Sequence, residues 1–409
     1  MNLRLRRRMV PLYVAAVLQG FGLWVPIEKL FMNEIGFDAA SVGLMAAAYA
    51  ALVPIVEIPS GILADRWSRR GVLILAAVAM FGSTVIGGLS TNVVTYIVAA
   101  LVLAFYFAMY SGTMDSIVYD TVLEETGDSD AFQKQLGRVR VVESCALVAS
   151  ALLGGWLASL TSPRLTYFLT LPFLALSVVA YLRFREPQLH KAREATSVRD
   201  QITLTYRTLL RRGQLLPIVA LTVLTALILQ VVIEFGPLWL LALSASAVVY
   251  GPFWAGVMSS FGVGGLIAGR LRLDRPAPFA LVVGLMLLAS LTLVTSRSLL
   301  LISAAQVVLA ILVVVVGIYV ARLLHDGIPS EVRAGVASGV GALSWIAFLP
   351  FALTFGVVSK SNGVHTAGWM IVGAVVLVAV ALVAVTLRRV PAEPEAEPAL
   401  VPIEAGQPS

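Results

Sequence analysis

The sequence predicts an all-α integral membrane protein with twelve transmembrane helices in two six-helix halves and both termini in the cytoplasm. Three observations support this fold class. The 409 residues are 59% hydrophobic and only 13% charged, with a mean hydropathy of +0.92, whereas soluble proteins carry about 25% charged residues. The apolar runs are long enough to cross a bilayer. The positive charges fall on alternate loops between those runs.

Each predicted helix is an apolar run bounded by polar residues. A transmembrane helix needs about 20 apolar residues, and the chain has room for about twelve such spans. The first run follows four arginines, as a signal peptide would. Because it exceeds 20 residues and carries no small-residue cleavage pattern, we expect a retained helix. The predicted spans are 9–31, 41–61, 72–90, 93–118, 139–160, 165–183, 215–239, 249–269, 277–296, 298–321, 334–358 and 366–387.

The distribution of positive charge predicts the orientation. Of the 29 Lys and Arg residues, 25 fall on the side of the two termini. Because cytoplasmic loops carry the excess of Lys and Arg, this side is predicted to be cytoplasmic. The net charge of +6 is then a topological signal, so nucleic acid is not an expected partner. The remaining four residues are Lys29, Arg164, Arg297 and Lys360.

The charged stretch in the middle of the chain predicts the domain organisation. We expect an N-terminal six-helix bundle over 1–184, a cytoplasmic linker over 185–214 and a C-terminal six-helix bundle over 215–388. Residues 389–409 form the predicted disordered cytoplasmic tail, since a segment rich in Pro, Glu and Ala cannot bury enough apolar surface to order itself.

The two halves carry matching motifs. Residues 61–70, GILADRWSRR, are echoed by 265–274, GLIAGRLRLD, and Tyr119-Asp120 is echoed by His325-Asp326. The first motif resembles the major facilitator superfamily signature G-x-L-A-D-R-x-G-R-R, with Ser68 in the place of a glycine. The resemblance implies two bundles related by a pseudo-two-fold axis, a central cavity lined mainly by helices 1, 4, 7 and 10, and secondary transport by alternating access.

The resemblance also implies a gate on the cytoplasmic side. Gly61 would permit close helix approach, and Asp65 could face the positive N-terminus of another helix. The arginines could meet carboxylates at neighbouring helix ends, or they could only fix the topology and contact lipid headgroups. The predicted gate residues are Gly61, Asp65, Arg66, Arg69, Arg70 and Asp120.

Acidic residues inside the predicted spans are candidates for function, because a charge in the membrane is costly. Asp115 and Glu143 could share a cavity or an arginine and bind a transported proton, with Asp115 expected to be the deeper acid on a cavity-lining helix. A static ion pair with Arg138, Arg140 or the loop between helices 2 and 3 is the alternative. Glu28 and Glu234 lie near the outer interface, where they are carboxylates in water or substrate contacts.

Polar and aromatic residues on the predicted helices are candidates for the substrate cavity: Gln19, Tyr110, Gln230, Glu234 and Trp345. Deep cationic groups are nearly absent while carboxylates and aromatic residues are present, which favours proton-coupled efflux of an apolar or cationic drug or metabolite. Residues 146–155 match an antiporter motif of the superfamily only in part, without its proline. A proton-coupled uptake permease for a small nutrient, or a membrane sensor without transport activity, are the alternatives.

Other classes of protein are not expected. The sequence has no G-x-x-x-x-G-K phosphate loop for an ATP-driven pump. Its three histidines are far apart and its single cysteine is Cys145, which favours no catalytic residues, no metal and no cofactor. We therefore expect a multi-pass monomer in the plasma membrane that is not an enzyme. Its predicted partners are a small-molecule substrate, protons and the lipid bilayer.

Overall fold

The computed structural model of the protein describes residues 3–127, 131–187, 215–326 and 333–387. These ranges contain no β-strand, and twelve of their helical segments are long and apolar enough to cross a membrane. The predicted number of spans is therefore confirmed. Residues 188–214 and 388–409, which hold most of the predicted linker and tail, lie outside the described residues.

The twelve spans are numbered α1 to α12 in chain order. Two of them are broken: α1 runs from Leu3–Gly20 through Val25–Ile27 to Glu28–Glu34, and α7 joins Leu216–Phe235 to Pro237–Ala242. The other helices of the N-terminal half are α2 (Ala39–Arg66), α3 (Arg69–Leu89), α4 (Val93–Thr126), α5 (Phe132–Leu160) and α6 (Pro163–Arg183). Those of the C-terminal half are α8 (Ala247–Ala268), α9 (Pro276–Thr295), α10 (Leu299–Asp326), α11 (Arg333–Asn362) and α12 (Val364–Leu387).

The helix starts after short loops are fixed by polar caps. Asp38 precedes α2 and accepts a hydrogen bond from the Ser41 amide at 2.8 Å, while its own amide donates to the Ser41 hydroxyl. Asn92 caps α4 and Ser162 caps α6 in the same way. Each cap satisfies a backbone amide that the helix itself leaves free, so adjacent spans reverse direction within a few residues.

The breaks in α1 and α7 occupy equivalent places in the two halves. Proline follows each break, at Pro26 and Pro237, where the first turn of the new helical segment accommodates it without losing a hydrogen bond. The backbone groups freed at the breaks find side-chain partners: the Leu23 amide donates to Thr170 Oγ1 at 3.1 Å, and the Gly236 carbonyl accepts from Gln306 at 3.3 Å. The breaks place charged side chains of α1 and α7 in the interior.

The two halves meet most closely along α2 with α11 and along α5 with α8. Glycines make these contacts possible, because an added Cβ on Gly43 would lie 2.5 Å from the Ala352 carbonyl oxygen, and one on Gly155 would lie 2.7 Å from the Gly251 amide nitrogen. These glycines lie near the ends of the helices that are remote from the two termini. We call this the distal side of the protein and the opposite side the terminal side. The halves are closed against each other on the distal side.

Candidate functional site

One cavity lies in the C-terminal half, towards the terminal side. It has a volume of about 400 Å³ and is enclosed by α7, α10 and α11. Its lining is mainly apolar, with polar groups from Thr222, Gln230, His325 and Ser344 and an aromatic face from Trp345. Two of the predicted cavity residues, Gln230 and Trp345, therefore line a cavity.

A second cavity, of about 160 Å³, lies between α2 and α4 of the N-terminal half. It is lined by Glu57, Gly61, Arg69 and small residues of α4. Glu57 forms no ion pair with any residue that the structure describes. The predicted role of Gly61 in close helix approach is wrong for this structure, since an added Cβ would meet no atom within 4 Å. Neither of these two cavities is lined by α1, and the central cavity lined by helices 1, 4, 7 and 10 stays a prediction.

The loop between α2 and α3 forms a polar cluster at the terminal side. Arg69 pairs with Asp120 of α4, the partner expected from the sequence, and donates to the Ser116 carbonyl at 3.2 Å. Ser68 has an extended backbone (φ −171°), so it occupies the usual glycine position without strain. Its hydroxyl caps α3 and donates to Glu186 at 2.6 Å.

The predicted gate on the cytoplasmic side stays a prediction. The Arg69–Asp120 pair joins two helices of the same half, whereas such a gate would hold the two halves together in one state of the transporter and release them in the other. The backbone amide of Arg70 donates to Glu186 at 3.1 Å, and Arg66 is exposed. The side chain of Asp65 lies outside the part of the chain that the structure describes.

The two acids predicted to couple transport to protons share one arginine. Arg140 Nη2 lies 2.7 Å from Asp115, and Arg140 Nη1 lies 3.5 Å from Glu143. Asp115 is not the deeper acid, since its side chain is 45% exposed against 17% for Glu143. The sequence could not show this because the rotation of a helix about its axis is set by packing. Whether either acid carries a proton stays a prediction.

Two predicted cavity residues are buried inside the N-terminal half instead. The Gln19 side chain accepts a hydrogen bond from the Tyr181 hydroxyl at 2.9 Å, and its amide nitrogen has no partner among the described residues. Tyr110 stacks on Tyr106 with 5.3 Å between the ring centroids, a separation usual for aromatic pairs. Both residues line neither cavity in this conformation.

A buried lysine and two glutamates form a charge cluster between the halves. Lys29 of α1 lies with its Nζ 2.9 Å from Glu28 and 2.6 Å from Glu234 of α7. Its side chain is 1% exposed, and each carboxylate is 18% exposed. The interpretation of Glu28 and Glu234 as interfacial carboxylates in water is therefore wrong. The Lys29–Glu234 ion pair joins the N-terminal half to the C-terminal half.

Aromatic residues enclose this cluster. The Tyr96 hydroxyl donates to Glu28 at 3.1 Å and lies 2.7 Å from the Tyr167 hydroxyl. Tyr49 of α2 is within electrostatic range of both carboxylates and packs on Trp345, with 5.8 Å between ring centroids. The low polarity of this surrounding strengthens the electrostatic interactions inside it.

Sequence reasoning missed this cluster, although one signal pointed to it. Glu28 and Glu234 are 206 positions apart, the same spacing as Asp120 and Asp326 in the internal repeat. A pseudo-two-fold relation between the halves places equivalent positions of α1 and α7 opposite each other. The lysine beside one of them could therefore have been expected to meet the carboxylate of the other.

A family model covers most of both six-helix halves. The family model described as the Major Facilitator Superfamily matches residues 9–348. The chain belongs to the major facilitator superfamily. The family is one of multi-pass membrane transporters, and the twelve long apolar helices among the described residues agree with it.

Curated members of the superfamily match parts of the chain. Multidrug resistance protein 1 of Bacillus subtilis (strain 168) is 24% identical over 188 residues, which are 46% of each chain. The uncharacterized MFS-type transporter YxaM of the same organism is 27% identical over 174 residues, 42% of this chain and 41% of that protein. The matches thus span about half the length of these relatives.

The fold is similar to that of solved superfamily members over almost the whole chain. The crystal structure of the nucleoside transporter NupG has a TM-score of 0.73 and 15% sequence identity, with coverage of 94% of this chain and 99% of that one. At this level of identity the likeness concerns the fold alone. No group of three or more His, Cys, Asp or Glu side chains among the described residues could hold a metal ion.

Proposed function

We propose that this member of the major facilitator superfamily exports an apolar or cationic compound across the plasma membrane in exchange for protons. The observation that carries this proposal is the composition of the terminal-side cavities. The cavity in the C-terminal half is mainly apolar with one aromatic face, and the cavity in the N-terminal half presents a carboxylate without an ion-pair partner among the described residues.

The two cavities suit different parts of such a compound. Trp345 offers an aromatic face that attracts a cation or stacks on a planar ring. Glu57 offers a negative charge on the opposite half. In the C-terminal cavity, the hydrogen-bonding side chains are few, which disfavours a small, highly polar nutrient that needs most of its groups satisfied. The partial match to a multidrug resistance protein supports the same substrate class.

The proposed direction follows from the charge distribution and the observed state. The terminal side carries 25 of the 29 Lys and Arg residues, so it faces the cytoplasm in our proposal. The halves are closed on the distal side, and the cavities lined by Glu57 and by Trp345 lie towards the terminal side. In an exporter this conformation loads the compound from the cytoplasm.

Transport in inverted membrane vesicles tests the proposal. We expect a lipophilic cationic dye to accumulate when the vesicle interior is acidic, and nigericin, which collapses the pH gradient, to abolish accumulation. Trp345→Ala should lower the rate about tenfold, as expected if about 1–2 kcal/mol of stacking is lost. Trp369→Ala is the matched control, because Trp369 is exposed on α12 and lines none of these cavities. Accumulation of sugars or other polar nutrients in right-side-out vesicles instead of dye export would contradict the proposal.

Asp115→Asn and Glu143→Gln address the coupling acid in the same vesicles. If Asp115 carries the transported proton, Asp115→Asn should abolish accumulation against a gradient and still allow downhill exchange of a neutral substrate. Glu143→Gln should do the same if Glu143 carries it. Unimpaired pH-dependent uphill transport in a variant excludes that residue, which would then be a structural partner of Arg140.

A further inference from the structure

The cluster of Glu28, Lys29 and Glu234 has an unbalanced charge. Two carboxylates share one ammonium group, so the fully ionised cluster carries one net negative charge in a buried place. An uncompensated buried charge is costly, whereas a neutral cluster is not. Among the described residues, no second lysine or arginine forms an ion pair with Glu28 or Glu234. Arg164, the other cation of this region, donates instead to the Gly88 and Ser90 carbonyls, at 2.8 and 2.9 Å.

We propose that this cluster binds one transported proton on Glu234 when the distal side closes, and that this proton determines which side of the membrane the cavity faces. The inference rests on the proposed function only in taking transport to be proton-coupled. It assigns the coupling to a cluster between the halves rather than to Asp115 or Glu143.

The hydrogen bonds select Glu234 as the proton carrier. Glu28 accepts from both Lys29 and the Tyr96 hydroxyl, so its ionised form has two donors. Glu234 accepts only from Lys29 among the described residues. The less stabilised carboxylate takes up the proton first. The titratable groups that face the cluster from other helices are all tyrosines, namely Tyr49 of α2, Tyr96 of α4 and Tyr167 of α6.

The cluster lies between a cavity on the distal side and a cavity on the terminal side. On the distal side, Lys29 lines a cavity of about 230 Å³ that Asn33, Leu238 and Val364 also line. On the terminal side, Gln230 lines the large cavity and precedes Glu234 by one helical turn on the same face of α7. A proton on Glu234 is thus held near the boundary between the distal and terminal cavities.

When the distal side opens, Lys29 keeps one carboxylate partner and loses the other. Lys29 and Glu28 are both in the N-terminal half and stay together as a neutral pair. Glu234 belongs to the C-terminal half and meets water alone when the distal side opens, so it is ionised there until it takes up a proton from the distal side and the cluster can close. Because the distal-closed state binds one more proton, acid on the distal side favours distal closure and opens the cavity to the terminal side.

Distance measurements between the halves test the inference without any substrate. Spin labels at Thr91→Cys and Ser361→Cys, in a Cys145→Ser background, report distal opening, because both positions are exposed at the distal end of different halves. For the otherwise unchanged protein in nanodiscs, we expect the ratio of distal-closed to distal-open molecules to rise by up to about tenfold per unit fall in pH between pH 8.5 and 5.

Two variants should remove this pH dependence independently. Glu234→Gln and Glu28→Gln each leave one carboxylate for one ammonium group, so closure no longer needs a proton and the ratio should change less than twofold over the same range. Asp38→Asn is the matched control. It removes the exposed ion pair between Asp38 and Lys360, which also joins the halves, and should shift the ratio while keeping its pH slope.

Either of two results overturns the inference: a ratio independent of pH in the unchanged protein, or an unchanged slope in both glutamine variants. Each variant is first tested for a single monodisperse peak, and one folded variant is enough for the comparison. If Glu234→Gln abolishes the pH dependence of the ratio but the protein exports no cationic dye, this inference stands and the proposed substrate is rejected. If the protein exports the dye in exchange for protons and both variants keep the pH dependence, only this inference is rejected.

Discussion

The distal and terminal sides of the molecule use their polar residues in opposite ways. On the distal side, ion pairs and glycine contacts join the two halves, as Lys29–Glu234 and Asp38–Lys360 do. On the terminal side, the Arg69–Asp120 and Arg8–Glu125 ion pairs each join helices of one half.

The difference shows which contacts change during transport. Contacts within a half can persist through a rigid-body movement, whereas contacts across the distal interface must break when that side opens. The distal interface therefore stabilises the observed state, and the terminal-side pairs keep each bundle intact. Four substitutions test this division.

Lys29→Met should strongly disfavour distal closure at neutral pH. It leaves Glu28 and Glu234 buried without a counterion, and removing one partner of a buried ion pair costs about 3–5 kcal/mol. The spin-label distances should therefore shift to the distal-open state by at least about a hundredfold in population at pH 7.5. Closure should recover partly at pH 5, where both carboxyl groups can be protonated. Lys360→Met, in an exposed pair, is the control and should shift the population far less.

Asp120→Asn should lower the stability of the protein without opening the distal side. The change weakens a charged hydrogen bond between α3 and α4 of one half, worth about 1.5–3 kcal/mol. Thermal unfolding in detergent should show a lower midpoint, while the distance distribution stays unchanged. A shift towards the distal-closed state would instead support a latch that holds the terminal side shut.

Gly43→Ala should hinder distal closure by overpacking. The added Cβ would lie 2.5 Å from the Ala352 carbonyl oxygen, so the α2–α11 interface must separate, at about 1–3 kcal/mol. The distal-closed population should fall about tenfold and the transport rate with it. Gly61→Ala on the same helix is the matched control, because nothing lies within 4 Å of its Cβ position. Equal behaviour of the two variants would show that the glycine contact does not limit closure.

Asp38→Asn should have the smallest effect on the distal-closed population, and this effect should not vary with pH near neutrality. The hydrogen bond from Lys360, followed by that from the Ser41 amide, lowers the pKa of Asp38 from 3.8 to about 2. Its contribution is therefore fully present above about pH 4 and is lost as the pH falls towards 2. Because this pair is exposed, the distal-closed population should fall at most about fivefold. A clear pH dependence of this effect between pH 5 and 8 would show that Asp38 titrates in the cycle and that Glu234 is not the only coupling acid.

The candidate site was only partly predictable. Gln230 and Trp345 line a cavity, whose role as the substrate cavity stays a prediction, and Asp120 meets an arginine of the motif between α2 and α3. The relative exposure of Asp115 and Glu143 was predicted in the wrong order. Residue spacing gives the depth of a side chain along its helix, but it does not give the face that the helix turns towards its neighbours. Gln19 was misplaced for the same reason, because α1 turns it towards Tyr181 of α6.

The membrane fold follows from the sequence alone. Twelve apolar runs must form helices in a bilayer, because every backbone hydrogen bond has to be satisfied internally. The motif of residues 61–70 indicated the superfamily because its combination of residues is specific to it. The packing of the two halves was needed to show that Lys29 crosses to Glu234 and that Gly43 and Gly155 close the distal side. Such contacts depend on how far the two halves are rotated towards each other, and that angle is set by the sum of many weak packing interactions between residues distant in the chain.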